Sequence, residues 1–321
     1  MTKEELRIVF FGTPEFAVES LRRLVEGGYN VVGVVTMPDK PAGRGHHLYE
    51  SDVKRYAVSR GLRVLQPVKL KDETFIAELR SLRADLQIVI AFRMLPEVVW
   101  SMPAMGTFNL HASLLPKYRG AAPINRAVMN GDSETGITTF FLKQEIDTGD
   151  IIQQSKVAIG RHDNVGDVHD RLMVMGAEMV IETVDAIIAG KVKPIPQAEL
   201  LTAGEEPTPA PKIFKEDCRI NWNESAEVVY NHIRGLSPYP AAWTQIVGPD
   251  GSRYDVKIFE TSEPIHRVET VPGRITTTTT RLMIDCADGA LKVLSLQLAG
   301  KKRMATDAFL RGFRVADFKA E

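Results

Sequence analysis

The chain has 321 residues, more than a single hydrophobic core usually serves, so the sequence predicts two domains. The charges of its 40 basic and 41 acidic residues nearly cancel, so the overall charge of the chain does not attract nucleic acid. A nucleic-acid partner would have to bind a local basic patch. The amino terminus has no secretory pattern and no run approaches the roughly 20 apolar residues that span a bilayer, so a cytoplasmic protein is expected.

The first predicted elements are a buried strand and a helix. Residues 6–11 are apolar except for Arg7, which is typical of a parallel strand that is buried on both faces. Gly12 turns the chain, and an apolar stripe after Pro14 predicts a helix that ends at Gly27 and Gly28. Because Gly12 stands alone and no GxGxxG is present, the sequence disfavours a dinucleotide-binding loop. The turn is expected to form one wall of an active site.

A second buried strand over residues 31–36 leads into a long loop. Residues 37–50 are too rich in Pro and Gly for regular structure, and a loop of this length is usually functional or disordered. Lys40 and Arg44 outnumber the single Asp39. Charge alone leaves two interpretations open: a solvated loop, or a contact with an anionic partner.

No metal site is predicted. His46 and His47 are adjacent, so their side chains point apart on an extended chain, and no further ligand follows nearby. Cys218 and Cys286 have neither CxxC nor Cys/His spacing, and both are expected to be reduced and structural.

The remaining elements divide the chain in two. A strand over residues 86–91 and another from Thr107 precede two further strands, over 136–142 and 149–157, and a long helix over 168–188. The proline-rich residues 191–211 predict a linker. Beyond it, short strands with Gly, Pro and Asp turns predict a small antiparallel barrel, over residues 242–247, 254–261, 273–279, 281–285 and 290–297.

Asn109 and His111 carry the most informative polar pattern. They lie two apart on a predicted strand, so they project from one face, at the carboxyl edge where open α/β sheets bind ligands. Asn can donate to a developing oxyanion, and His can donate or accept a proton near neutral pH. A third polar group would fix the imidazole tautomer, and Asp147 is a candidate, with Glu145 and Asp150 open by charge alone.

These residues belong to a wider set of motifs. Asn109-Leu110-His111, Ser113-Leu114-Leu115-Pro116, Tyr118-Arg119-Gly120 and Asp147-Thr148-Gly149 together resemble the signature of the 10-formyltetrahydrofolate-dependent formyltransferases. Similar segments occur at residues 11–17, 41–45, 120–124, 295–297 and 300–302, so the resemblance covers essentially the whole chain. It implies a Rossmann-like, largely parallel catalytic domain over residues 1–190, a linker over 191–211 and a smaller OB-like antiparallel β-barrel domain over 212–321.

The resemblance also implies roles for individual residues. Asn109, His111 and Asp147 would be catalytic, with 10-formyltetrahydrofolate as co-substrate and no metal. Where many relatives have Tyr-Gly this chain has Phe92 and Arg93, which leaves the role of the Arg93 side chain open. Eight residues would form the folate pocket: Ser113, Leu114, Leu115, Pro116, Phe92, Arg93, Met94 and Leu95.

The acceptor implied by the closest branch of that family is the α-amino group of methionyl initiator tRNA, in support of translation initiation. Arg44 and Lys40 in the first long loop, and Lys301, Lys302 and Arg303 after the last strand, would contact the tRNA. The basic residues fit a phosphate backbone at low specificity, and a solvated face is the alternative. No membrane contact and no obligate protein partner are expected.

Several other interpretations share the catalytic set. Sugar-nucleotide N-formyltransferases, which also carry a barrel-like appendage, are the main alternative. Glycinamide ribonucleotide formyltransferase lacks a C-terminal barrel, and formyltetrahydrofolate hydrolase usually carries an N-terminal regulatory domain. A non-catalytic RNA-binding protein on the same frame would leave Asn109, His111 and Asp147 dispensable.

Overall fold

The structure is a computed structural model that describes residues 1–42, 47–201, 204 and 206–321. The strands in chain order are β1 Ile8–Gly12, β2 Val31–Val35, β3 Lys40–Ala42, β4 His47–Tyr49, β5 Val64–Leu65, β6 Leu86–Ile90, β7 Thr107–His111, β8 Arg119–Gly120, β9 Glu134–Phe141, β10 Ile151–Ala158, β11 Pro209–Ala210, β12 Ala242–Val247, β13 Arg253–Thr261, β14 Ile265–His266, β15 Ile275–Thr277, β16 Leu282–Asp285, β17 Gly289–Leu298, β18 Met304–Ala305 and β19 Lys319–Ala320.

The α-helices in chain order are α1 Glu15–Glu26, α2 Asp52–Ser59, α3 Glu73–Ser81, α4 Glu97–Trp100, α5 Pro123–Met129, α6 Val165–Ile188, α7 Ala226–Leu236 and α8 Thr306–Gly312. Two 3-10 turns, Gln197–Leu200 and Glu216–Cys218, occur as well. Local chemistry begins several of the helices. Ser51 caps α2 by accepting the Lys54 N–H at 3.1 Å, and Asp72 caps α3 by accepting the Phe75 N–H at 3.1 Å.

The chain divides into two compact units. The sheet unit consists of Met1–Gly120, Gly136–Val157 and His169–Pro209, and the barrel unit of Ala121–Thr135, Ala158–Val168 and Ala210–Glu321. Residues 121–135 belong to the barrel unit because α5 packs on α7, where the Asn125 side chain donates to the Gly235 carbonyl at 2.8 Å. Neither unit follows one continuous stretch of sequence, and the domain boundaries at residues 190 and 212 stay a prediction.

The central sheet of the sheet unit has the strand order β10-β9-β7-β6-β1-β2-β5. Strands β1, β2, β5, β6 and β7 pair in parallel, and β9 joins β7 antiparallel. All residues of β1 and β6 are buried, as expected for parallel strands that helices cover on both faces. The carboxyl ends of β1, β6 and β7 therefore meet at one edge of the sheet, which is where ligands bind in such folds.

The described residues between 37 and 50 are more regular than the sequence indicated. Strands β3 and β4 form an antiparallel hairpin in which Lys40 pairs with Tyr49 and Pro41 with Leu48. The prediction of an irregular segment up to about residue 51 was therefore wrong for these strands. Two three-residue strands leave almost no period-2 pattern for sequence reasoning to detect.

The barrel unit is built on an antiparallel sheet with the order β15-β16-β17-β13-β12-β19, and β14 and β18 also pair with β17. The sheet nearly closes on itself, because the Ala320 N–H donates to the Gly273 carbonyl at 2.8 Å and Arg274 bridges to Lys319. Helix α7 covers the interior, where Tyr230 and Ile233 pack with Ile258 and Leu296 in one buried cluster. The predicted fold class, a Rossmann-like sheet with flanking helices followed by an antiparallel OB-like barrel, is confirmed.

In the described stretches of the chain, no helix has both the length and the apolar content that a membrane crossing requires.

Candidate active site

Strand β7 presents Asn109 and His111 on one face at the carboxyl edge of the sheet, as the two-residue spacing predicted. Asn109 is half-buried between Val89 of β6 and Phe140 of β9. Its side-chain amide makes no hydrogen bond to any residue that the structure describes, so its NH2 is available as a donor. His111 is the last residue of β7 and is only 7% exposed.

The two ring nitrogens of His111 have different surroundings. Nε2 lies 2.8 Å from the carbonyl oxygen of Tyr118. A carbonyl oxygen only accepts, so Nε2 carries a proton in the neutral ring and Nδ1 is the bare nitrogen. Nδ1 faces the Asp147 carboxylate, with Oδ2 at 3.8 Å, and the imidazole packs edge to face with the ring of Phe140. The tautomer is fixed by a backbone carbonyl, and the atom that is free to exchange a proton is Nδ1.

Asp147 lies in the connection between β9 and β10, in the segment that we call the DTG loop (residues 147–149). Its backbone adopts a left-handed conformation with φ of 53°, and its Oδ2 accepts the Gly120 N–H at 2.9 Å. Of the three acids considered from sequence, Asp147 is the one against His111, since Asp150 pairs with Lys143 at 2.7 Å and Glu145 is exposed.

Glycine ends the DTG loop for a steric reason. A Cβ at Gly149 would lie 1.6 Å from the Phe141 carbonyl oxygen, which is backbone and cannot rotate away. Only glycine therefore allows the loop to run this close to β9.

The segment Ser113–Pro116 is held by hydrogen bonds to Lys117 and to Thr138 of β9. The Ser113 hydroxyl is buried and donates to the Lys117 carbonyl at 2.6 Å, while Leu115 and Pro116 are buried and Leu114 is half-exposed. Thr138 donates to the Ser113 carbonyl at 2.6 Å and accepts the Leu115 N–H at 3.2 Å. Ser113 offers no free hydroxyl here, so the segment would act on a ligand through its shape and backbone.

Sequence reasoning missed Thr138 and Gln154, which support this segment from β9 and β10. The Gln154 amide donates to the Leu115 carbonyl at 2.7 Å and to the Thr138 hydroxyl at 3.0 Å. The signal in the sequence that could have identified them is a polar side chain within each of the two predicted strands.

The second predicted folate segment, residues 92–95, has mixed exposure. Phe92 packs edge-on against Phe11, Leu95 is buried, and Met94 is 70% exposed. The Arg93 guanidinium donates to the carbonyls of Val68, at 2.7 Å, and Pro67, and burial lowers the pKa of Arg93. The Arg93 side chain thus ties the loop after β6 to the loop after β5.

The residues predicted to contact RNA fall on both units. Lys40 is exposed on the hairpin of the sheet unit, and Arg44 lies outside the described residues. In the barrel unit, Lys301 and Lys302 are exposed, whereas Arg303 donates to the Ser295 hydroxyl at 2.8 Å and stacks over Phe259. We call residues 301–303 the basic segment. Among the described residues, no group of three or more His, Cys, Asp or Glu side chains is arranged to hold a metal ion.

The Rossmann-like sheet and the antiparallel barrel are the two parts of the formyl transferase fold. Residues 6–184 match the family described as Formyl transferase, and residues 212–314 match its C-terminal domain. The chain belongs to the formyl transferase family.

Two relatives are similar over nearly their whole length. The chain is 64% identical to methionyl-tRNA formyltransferase of Bacteroides fragilis and 62% identical to that of Bacteroides thetaiotaomicron, and each alignment covers 99% of this chain and 98% of the relative. The fold is also similar to the N-formyltransferase from Helicobacter canadensis in complex with folinic acid and dTDP-3-aminofucose, with a TM-score of 0.64. That alignment covers 93% of this chain and 100% of the other at 17% identity, so it concerns the fold alone.

Proposed function

We propose that this chain transfers the formyl group of 10-formyltetrahydrofolate to the α-amino group of methionyl initiator tRNA, in support of translation initiation. The observation that carries the reaction is the bare Nδ1 of His111, which faces Asp147 beside the unpaired amide of Asn109. Formyl transfer to an amine is accelerated by a hydrogen-bond donor to the developing oxyanion and by a group that carries the amine proton. The acceptor follows from the relatives at 64% and 62% identity.

His111 carries the proton in this mechanism. As the amine nitrogen bonds to the formyl carbon, Nδ1 accepts the proton that the amine loses, and the Asp147 carboxylate stabilises the resulting imidazolium. Nδ1–H then returns the proton to the departing folate nitrogen as the carbon–nitrogen bond to it breaks. Proton transfer by a positioned side chain typically contributes about 10²–10⁴ in rate.

Asn109 stabilises the tetrahedral intermediate. Its NH2 group donates to the oxyanion that develops on the formyl oxygen, together with the protonated Nδ1 of His111. One such donor is worth about 10²–10³ in rate. The amide is suited to this because it has no competing hydrogen bond to a described residue and needs no rearrangement before the reaction.

The binding residues take the roles that the resemblance implied. Ser113–Pro116 and the segment of residues 92–95 form the folate walls. Exposed Lys40 and the basic segment meet the tRNA backbone, as does Arg44, and the OB-like barrel contributes the second contact region. We place the enzyme in the cytoplasm, where charged initiator tRNA is found.

Formyl transfer from 10-formyltetrahydrofolate tests the proposal directly. Wild type, Asn109→Ala and His111→Ala would be assayed with charged initiator methionyl-tRNA and, in parallel, with a panel of amino-sugar nucleotides. We expect transfer to the tRNA alone, reduced by about 10²-fold or more in each variant at unchanged melting temperature. Transfer to a sugar nucleotide alone would overturn the substrate, and unchanged rates in both variants would overturn the catalytic roles.

A further inference from the structure

Gln197 lies in a part of the chain to which the function does not yet give a role. It is between the two family matches, which end at residue 184 and begin at residue 212, and within the predicted linker. The structure nevertheless buries it to 3% exposure, at the start of the 3-10 turn Gln197–Leu200. A buried carboxamide in a connecting segment needs hydrogen-bond partners, and their identity is informative.

Backbone pairing brings Gln197 to the DTG loop. Ile195 and Ile151 form an antiparallel bridge with N–H···O distances of 2.9 and 2.8 Å. In an antiparallel pair, the residue two positions after one partner lies opposite the residue two positions before the other. Gln197, two residues after Ile195, therefore lies opposite Gly149, two residues before Ile151. The segment after α6 therefore runs along the start of β10 and delivers its side chain to residues 147–149.

The Gln197 side chain is fully hydrogen-bonded. Its Nε2 donates to the carbonyls of Asp147 and Gly149, both at 2.8 Å. Its Oε1 accepts from the Arg119 guanidinium, from Nη2 at 2.7 Å and from Nε at 3.1 Å. One amide thus connects the DTG loop with the strand that carries Arg119.

Both connections bear on the Asp147 carboxylate. The carbonyl of Asp147 accepts a hydrogen bond from Gln197 directly. Asp147 has a left-handed φ of 53°, a conformation that residues other than glycine rarely adopt. The carboxylate accepts the N–H of Gly120, which follows Arg119 in the chain. Both ends of Asp147 are thus fixed by groups that Gln197 contacts directly or through one neighbour.

We propose that Gln197 is a positioning residue for formyl transfer, which holds the Asp147 carboxylate in place against Nδ1 of His111. The proposal rests on the proposed function, because Asp147 acts in that mechanism through His111. Gln197 is buried, and its side-chain amide is occupied by protein partners, so its proposed role is exercised through Asp147. Its loss would let the DTG loop relax, and a displacement of about 1 Å at a reacting group costs on the order of 10²-fold in rate.

Two substitutions separate the contacts. Gln197→Met keeps the length of the side chain and removes all four hydrogen bonds. Gln197→Glu still accepts from Arg119 but, when ionised, has no proton to donate to Asp147 and Gly149. We expect both variants to lose about 10- to 100-fold in kcat, with KM for tRNA and for the folate donor close to wild type.

Gln87→Met is the matched control for burial. Gln87 is fully buried in β6, where its Oε1 accepts from the Thr107 hydroxyl at 3.1 Å, and it has no bond to the DTG loop. The Gln87→Met variant should retain wild-type kcat even if its melting temperature falls as much as that of Gln197→Met. Loss of kcat in proportion to melting temperature across all three variants would assign Gln197 a structural role only and overturn the proposal.

A double-mutant cycle with Asp147→Ala completes the test. If Gln197 works through Asp147, Gln197→Met adds almost no loss of kcat once Asp147 is alanine. If the fold-losses of kcat in the two single variants multiply in the double variant, the inference is overturned. The proposed function still stands in that case, provided that the wild type transfers the formyl group to the tRNA. Wild type that transfers no formyl group to any acceptor would overturn both.

Discussion

The DTG loop and the two lysines of the basic segment differ in how firmly the protein holds them. In the loop, the carbonyls of Asp147 and Gly149 and the carboxylate of Asp147 all accept hydrogen bonds from protein groups. In the basic segment, Lys301 and Lys302 extend their ammonium groups into solvent, and their side chains have no hydrogen bond or ion pair to a described residue. The difference reflects what each proposed role requires: proton transfer needs a fixed atom, whereas attraction of a polyanion needs only charge.

Gly149→Ala should disturb the rigid DTG loop most strongly. The new Cβ would meet the Phe141 carbonyl oxygen at 1.6 Å, so the loop must move. We expect a loss of about 1–3 kcal/mol or more in the free energy of unfolding, measured by urea denaturation, and a large loss of kcat. Gly312→Ala, where no atom lies within 4 Å of the new Cβ, is the control and should be nearly neutral. Equal stability of the two variants would show that the loop is not tightly packed.

A smaller effect is expected in the basic segment. Replacement of Lys301 and Lys302 together by Ala should raise KM for tRNA at physiological salt and leave kcat unchanged. The slope of log KM against log salt should fall by about one unit for each phosphate interaction that the substitutions remove. Lys319→Ala, which removes one exposed lysine elsewhere on the barrel unit, is the control, and its effect is compared with that of each single lysine replacement. A drop in kcat with an unchanged salt slope would contradict an electrostatic role.

The sequence predicted those features that depend on local pattern. Strand β1 follows from an apolar run and β6 from a run that only Gln87 interrupts, and β12, β13, β16 and β17 follow from short β-prone stretches between turns, in agreement with the observed elements. The shared face of Asn109 and His111 follows from their spacing on β7. Asp147 could be chosen among three nearby acids only through the family motif.

The rest depends on contacts that carry no pattern in the sequence. Tyr118 holds His111 through its carbonyl oxygen, an atom that every residue has. Gln197 reaches the DTG loop because a bridge between Ile151 and Ile195 sets the register, which no local signal marks. The hairpin of β3 and β4 has only three residue pairs in a segment rich in Pro and Gly. The first contact is made by a backbone atom, the second is a long-range pairing and the third involves strands too short to show a period, so none of them leaves a pattern in the sequence.

The most direct test of the proposed proton transfer is single-turnover formyl transfer by Asp147→Asn at saturating concentrations of both substrates. Asparagine keeps a side-chain oxygen to accept the Gly120 N–H but lacks the charge that faces Nδ1 of His111. We expect the rate to fall by about 10²-fold, with KM for both substrates unchanged, because the imidazolium loses its stabilising partner. A rate within about twofold of wild type would contradict the role of the His111–Asp147 pair in moving the proton.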